Sequence, residues 1–415
     1  MTYSRSRTQH KQKTQKRKKV KLLLIINGLL VTIIIIAVAL LWNAQKNRIA
    51  EDKQPGTSEV QSLPSPDRSP QASPSASPSA ELPSEEPLPE VVESNSPELS
   101  GDTINLALVG DILPAARVLE LMEKNGYDYP YREAKSILEA ADITAGNLES
   151  SITTRGTAAE DKKYLFRAPP ETLPAIMEAG FDYLSLANNH TMDYGWVGLS
   201  DTMDALDDIG LKHSGSGNDD REAFAPAYIE SKGITVAFVS VTRVVPHVSW
   251  KADRINAGLA EAYSPDRAVA AIKAAKENAD LVVVMVHWGE ERKETPVAHQ
   301  TDLAYRFIDA GADLVVGSHP HVLQGFESYK GKWIAYSLGN FVFSTTAESK
   351  TSETGVLNAE CDKEGACSLK FHPMFATNSQ PAPMDAEKGK ALLERLSTLS
   401  YGAAVKEDGS IVAIP

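Results

Sequence analysis

The sequence predicts an α/β domain over residues 101–415, in which helices cover sheets. Two observations lead there. Short apolar runs recur, at Ile104–Val109, Phe181–Ala187, Ile234–Val241, Asp280–Val286 and Asp313–Val316, with helical stretches between them such as Pro265–Asn278 and Pro296–Ala310. Apolar runs of that length bounded by turn residues read as buried strands, and strands alternating with helices fold in layers. The runs also end in polar, metal-capable residues, among them Gly110-Asp111, Asn188-Asn189-His190, His287-Trp288-Gly289 and Gly317-Ser318-His319. In α/β sheets a ligand site gathers beyond the carboxyl ends of the strands.

Three segments precede the domain. Residues 1–21 carry a basic run from Arg5 to Lys21 without one acidic residue, on a chain whose formal net charge is −13. A basic stub on an acidic body is not the pattern of a nucleic-acid binder, which needs its basic face on the folded part. Residues 22–42 are apolar except for Asn27, Gly28 and Thr32. That is about the ~20 residues a helix needs to cross a bilayer. The flanking basic residues hold the N-terminal end in the cytoplasm, so the remainder is expected outside, with Trp42 as an interfacial anchor. A cleaved signal peptide is the rival reading, with Ala37-Val38-Ala39 as its cleavage site, but the apolar run continues through Leu40, Leu41 and Trp42. Both readings export the domain. Residues 43–100 form a linker rich in Pro, Ser and Glu, too polar to offset its ordering entropy and expected to act as an extended stalk.

Within the domain, Ile104–Val109 is the first strand and ends at Asp111 in a loop, and Pro114 can open a helix. Trp333–Leu338 and Gly355–Cys361 read as later strands joined by turns. The chain has two cysteines, Cys361 and Cys367, flanking a turn-like stretch. Two cysteines exclude a disulfide scaffold and a cysteine-rich metal module. A disulfide closing this hairpin and a pair of free thiols both remain open.

The residues at the strand ends are Asp111, Asn147, Glu149, Asn189, His190, His287, His319 and His321. Singly, each has an ordinary structural reading as a helix cap or a hydrogen-bonded side chain. Together they mix imidazole, carboxylate and amide oxygen, a set suited to a divalent ion such as Mn, Fe or Zn. His319-Pro320-His321 is expected to be extended, which would point both imidazoles to one side. Asp193 is expected to support the loop holding His190. Arg167 is a candidate contact for an anionic ligand, whereas Lys162, Lys163, Arg243, Arg292 and Lys293 read as solvated charge. No phosphate-binding Gly-rich loop with Lys-Ser/Thr and no Gly-x-Ser-x-Gly elbow occurs, which argues against an ATP-using ligase and a serine hydrolase.

The order of these motifs resembles the calcineurin-like metallophosphoesterases, and more closely one divergent branch of that class. Val109-Gly110-Asp111, Asn147-Leu148-Glu149-Ser150, Phe166-Arg167-Ala168-Pro169, Ala187-Asn188-Asn189-His190 with Asp193-Tyr194-Gly195, His287-Trp288-Gly289-Glu290-Glu291, Gly317-Ser318-His319-Pro320-His321-Val322 and Tyr336-Ser337-Leu338-Gly339-Asn340-Phe341 resemble the CapA, poly-γ-glutamate capsule biosynthesis, family across roughly residues 103–345. The resemblance implies two packed sheets flanked by helices and a membrane-anchored protein of poly-γ-glutamate synthesis or export, with the polymer and membrane-bound synthase components as partners. It also implies one or two divalent ions. One would take Asp111, Glu149 and His321. The other would share Glu149 and take Asn189, His287 and His319. His190 would be the general acid, with Asn147, Arg167, Asp193 and Asn340 in supporting or substrate-binding roles. Two positions depart from the class: Leu113 stands where a His is usual, and Glu149 where an Asp is usual. A metal-dependent phosphoesterase of the cell envelope and a scaffold with a vestigial site are the alternative functions.

Overall fold

The computed structural model describes residues 99–345 and 349–414. The basic tail, the expected membrane span and nearly all of the linker lie outside the described residues. Among those described, no helix is long and apolar enough to cross a membrane.

Two sheets dominate. The first has ten strands. Its parallel part runs Thr103–Ile112, Ile143–Leu148, Tyr183–Ser185, Lys212–Ser214. On the other side of Thr103–Ile112 lies the antiparallel hairpin Glu353–Asp362 and Cys367–Thr377. The second sheet has six strands, with Leu281–His287 parallel to both Ile234–Thr242 and Leu314–Ser318 at its centre.

Side-chain alternation explains why the sheets pack face to face. In Leu281–His287, Leu281, Val283 and Met285 enter a core shared with Leu106, Leu108, Tyr183 and Leu357 of the first sheet. Val282, Val284 and Val286 face the other way, onto Ile272, Leu303 and Phe307 of the helices Asp266–Lys276 and Ala298–Asp309. An unbroken Val/Leu run is what a strand buried on both faces requires. Each such side chain contributes about 1.5–3 kcal/mol when fully buried. The first sheet repeats the scheme: Ala107 and Val109 turn outward to Val118, Leu199 and Leu206 of Arg117–Asn125 and Gly195–Ile209. The result is a helix–sheet–sheet–helix sandwich, as the α/β pattern predicts.

Some local expectations change. The first strand continues to Ile112 because Asn340–Val342 and Ile143–Leu148 both pair with its end: Asp111 is in register with Asn340 and with Asn147. Asp111 is therefore held on a strand rather than in a loop. Pro114 opens no helix directly; the helix starts at Arg117, after Ala116 turns at φ 52°. Cys361 and Cys367 form a disulfide across directly opposed positions of the hairpin, so the pair is not free thiols.

Candidate metal centre

Both sheets deliver their carboxyl-terminal ends to one place. Asp111 is the penultimate residue of the first strand, Asn147 lies near the end of the second and Glu149 just past it, and Asn189 and His190 come from the loop after Tyr183–Ser185. The second sheet supplies His287, the last residue of its strand, and His319 and His321 just past Leu314–Ser318. Two glycines make this convergence sterically feasible. A Cβ on Gly110 would lie 1.9 Å from the Gly339 carbonyl oxygen, and one on Gly317 would lie 2.1 Å from that of Tyr336. The glycines beside Asp111 and His319 thus serve close backbone approach.

Glu149 is the centre of the cluster. Its side chain is completely buried, and neither carboxylate oxygen has a hydrogen-bond partner. Its Oε1 lies 3.9 Å from His190 Nε2, 3.8 Å from His287 Nε2 and 3.9 Å from His321 Nε2. Two sets of groups stand close enough to hold an ion: Glu149 with His319 and His321, and Asp111 with Glu149 and His287. Glu149 belongs to both.

The neighbours orient these ligand atoms. Asn147 Nδ2 donates to Asp111 Oδ1 at 2.8 Å. His287 Nδ1 lies 3.0 Å from Ser318 Oγ, which turns Nε2 toward Asn189 Oδ1 at 2.8 Å and toward Glu149. His321 Nδ1 lies 2.9 Å from Asn340 Oδ1 and 3.4 Å from Asp111 Oδ2. Hydrogen bonds to one ring nitrogen of this kind fix the tautomer and present the other. Asn188, which the sequence reading did not single out, ties the loops together: its Nδ2 donates to Asn147 Oδ1 and Leu148 O, and its Oδ1 accepts from the His190 and Thr191 amides.

The expected extended His319-Pro320-His321 is not found. His319 adopts φ 95° and His321 φ 56°. Non-glycine residues rarely adopt such backbone angles, and they concentrate at functional sites. A left-handed bend brings the two rings to 5.8 Å and His319 to 4.7 Å from His287.

The electrostatics follow from burial. Desolvation, then the charge of Asp111, pushes the Glu149 carboxyl well above the carboxylate range. For His321, burial disfavours the cation, but Glu149 and Asp111 outweigh it and raise the imidazole to about 10. His319 goes the other way, to about 3, through burial and then repulsion from His321. Burial and the neighbouring imidazoles also hold His287 well below its ordinary value. Two buried carboxyls, one with both oxygens unpartnered, with the imidazoles of His287, His319 and His321 around them, fit a divalent cation.

Arg167 is exposed and lies over the Tyr194 ring at 4.5 Å. Leu113 is buried in the helix-side core and offers no ligand. Lys162 corrects the sequence reading. It is not solvated: its side chain is only 11% exposed, and it bonds the Asn189 carbonyl and Asp193 and stands 3.0 Å from His190 Nδ1. Nothing in its sequence surroundings separates it from a surface lysine such as Lys163.

The family model of the bacterial capsule synthesis protein PGA_cap matches residues 105–345, and every metal-capable group above falls inside that span. The chain belongs to the PGA_cap family. It is 34% identical over 313 residues to the capsule biosynthesis protein CapA of Bacillus anthracis, covering 73% of this chain and 75% of that protein. It is 33% identical over 316 residues to the PGA biosynthesis protein CapA of Bacillus subtilis, covering 75% of this chain and 82% of that protein. Among solved structures, a putative 5'-nucleotidase from Staphylococcus aureus aligns with a TM-score of 0.43 and 16% identity, covering 68% of this chain and 54% of that one. The PGA_cap match takes in the Asn340 motif, whose side chain contacts His321.

Proposed function

We propose that this PGA_cap protein is a membrane-anchored, outward-facing component of poly-γ-glutamate capsule synthesis or export, and that its domain works through a divalent ion at the Glu149 cluster. The observation that carries the metal reading is the fully buried Glu149 carboxylate, without a hydrogen-bond partner and facing three imidazole Nε2 atoms at 3.8–3.9 Å. Asp111, Glu149, Asn189, His287, His319 and His321 would hold Mn, Fe or Zn. The polymer reading rests on the names of the two Bacillus relatives. The anchor reading rests on residues 22–42 and the basic run before them.

Such an ion supplies Lewis acidity and a water activated for hydrolysis. The chain's own residues would then do the remaining work. His190, with Asp193 Oδ2 2.7 Å from its Nδ1, directs Nε2 into the cluster, where it would deliver a proton to a leaving oxygen. Phe166 packs against His190, with ring centres 4.6 Å apart. That arrangement favours hydrolysis of an envelope phosphoester as the second reading.

The test is genetic. Deleting the gene should abolish surface poly-γ-glutamate. The wild-type gene should restore it, and a His319→Ala/His321→Ala allele expressed at the same level should not. Unchanged polymer after deletion rejects the capsule role. Full restoration by the double variant rejects any role for the cluster in it.

A further inference from the structure

The strap formed by residues 154–166 lies across the loop that carries His190. Ala159 N donates to Asp193 O at 2.9 Å, and Phe166 N donates to Asp193 Oδ2 at 2.7 Å. Gly156 meets the Tyr194 carbonyl so closely that a Cβ would lie 2.3 Å from its oxygen. Just before Lys162, Asp161 adopts φ 57°, an uncommon angle for a non-glycine residue. Lys162 points inward from this bend.

The contacts at its tip assign the protons. Asp193 Oδ2 lies 2.7 Å from His190 Nδ1. A bare nitrogen there would face a carboxylate oxygen with no hydrogen between them, so Nδ1 carries the hydrogen and donates it to Asp193. The Lys162 ammonium, 3.0 Å from the same nitrogen, therefore does not donate to it. Its bonds go to Asp193 Oδ1 and to the Asn189 carbonyl. One ammonium thus grips the residues on both sides of His190. Two of its three protons are engaged inside the protein.

We propose that Lys162 is a positioning residue of this site: by tying Asp193 to the Asn189 carbonyl it holds the His190 imidazole in its Nδ1–H form, with Nε2 turned toward Glu149. This deepens the hydrolytic reading above and rests on it for what His190 is held to do. The holding itself needs no metal.

The test uses the full chain in detergent, freed of metal by chelation and labelled with 15N-histidine. The His190 Nδ1–H resonance is assigned with His190→Gln, and its exchange with water is measured. The wild-type protein should show a slowly exchanging proton. In Lys162→Met exchange should become about tenfold faster or more, because losing a buried charge-assisted hydrogen bond makes local opening easier. Signals from His213 and His372, remote from the cluster, should stay in place. Lys162→Arg, which keeps charge and donors, should restore slow exchange. Unchanged exchange in Lys162→Met overturns the proposal, as does a Lys162→Arg protein that exchanges as fast as Lys162→Met. If Lys162→Met does not fold, Lys162→Leu, also apolar and without a donor, carries the same comparison. Because no metal is present, failure of the metal reading is seen separately, in elemental analysis of untreated protein.

Discussion

Glu149 bears a large desolvation burden, since it is buried with no hydrogen bond to either oxygen. A group so placed is costly in the metal-free fold, where the nearby His321 imidazolium offsets only part of the burial, and a metal ion offsets more of it. Glu149→Gln should therefore separate stability from binding. Urea denaturation of the metal-free variant should show a gain of about 1 kcal/mol or more, while calorimetry should show Mn affinity falling at least about 100-fold. His321 sets the pH dependence. Against burial, Glu149 and Asp111 raise it from its ordinary 6.5 to about 10 in the fold. The stabilisation it provides in the metal-free protein is complete below about pH 6.5 and is lost as pH rises through 10. An ion that takes its nitrogen must displace that proton. Metal affinity should accordingly rise about tenfold per pH unit between neutrality and pH 9, with a proton released on binding. Calorimetry in two buffers of different ionisation enthalpy measures that release, and a pH-independent affinity would refute it.

The strands show how much of the site was legible before the fold was known. The apolar runs of Ile234–Thr242 and Leu281–His287 announced themselves because each is buried on both faces. The polar residues at their ends followed from sheet topology alone. Three things were not legible. The extension of the first strand to Ile112 depends on pairing with Asn340–Val342, more than 200 residues away. The left-handed bend at His319 and His321 is imposed by tertiary contacts, whereas a local reading of His-Pro-His gives extended chain. Lys162 acquires its role only when the strap folds over Asp193. Element-level constraints make two further tests. Gly317→Ala drives a Cβ against the Tyr336 carbonyl at 2.1 Å and Trp288 Nε1 at 2.4 Å, and should destabilise the domain by about 3 kcal/mol in thermal or urea melts. Asn340→Ala removes the partner of His321 Nδ1, and should lower metal affinity about 10–100-fold with little change in melting temperature.

At the scale of the whole molecule, the sheets share a core yet contribute different chemistry. The first brings the carboxylates and amides, the second the histidines apart from His190. The site forms only when the two pack, so loss of inter-sheet packing should abolish metal binding before secondary structure is lost. The first strand begins at Thr103 and carries Asp111 near its far end. If the proposed topology holds, protease added to intact cells should release the domain by cutting within residues 43–100, and membranes should retain the N-terminal remnant after high-salt washing. Elemental analysis of the purified full chain beside His319→Ala/His321→Ala decides whether the Glu149 cluster holds a divalent ion. One or two equivalents of Mn, Fe or Zn are expected in the parent and none in the variant. No metal in either protein, even after loading with Mn or Zn, would contradict that expectation.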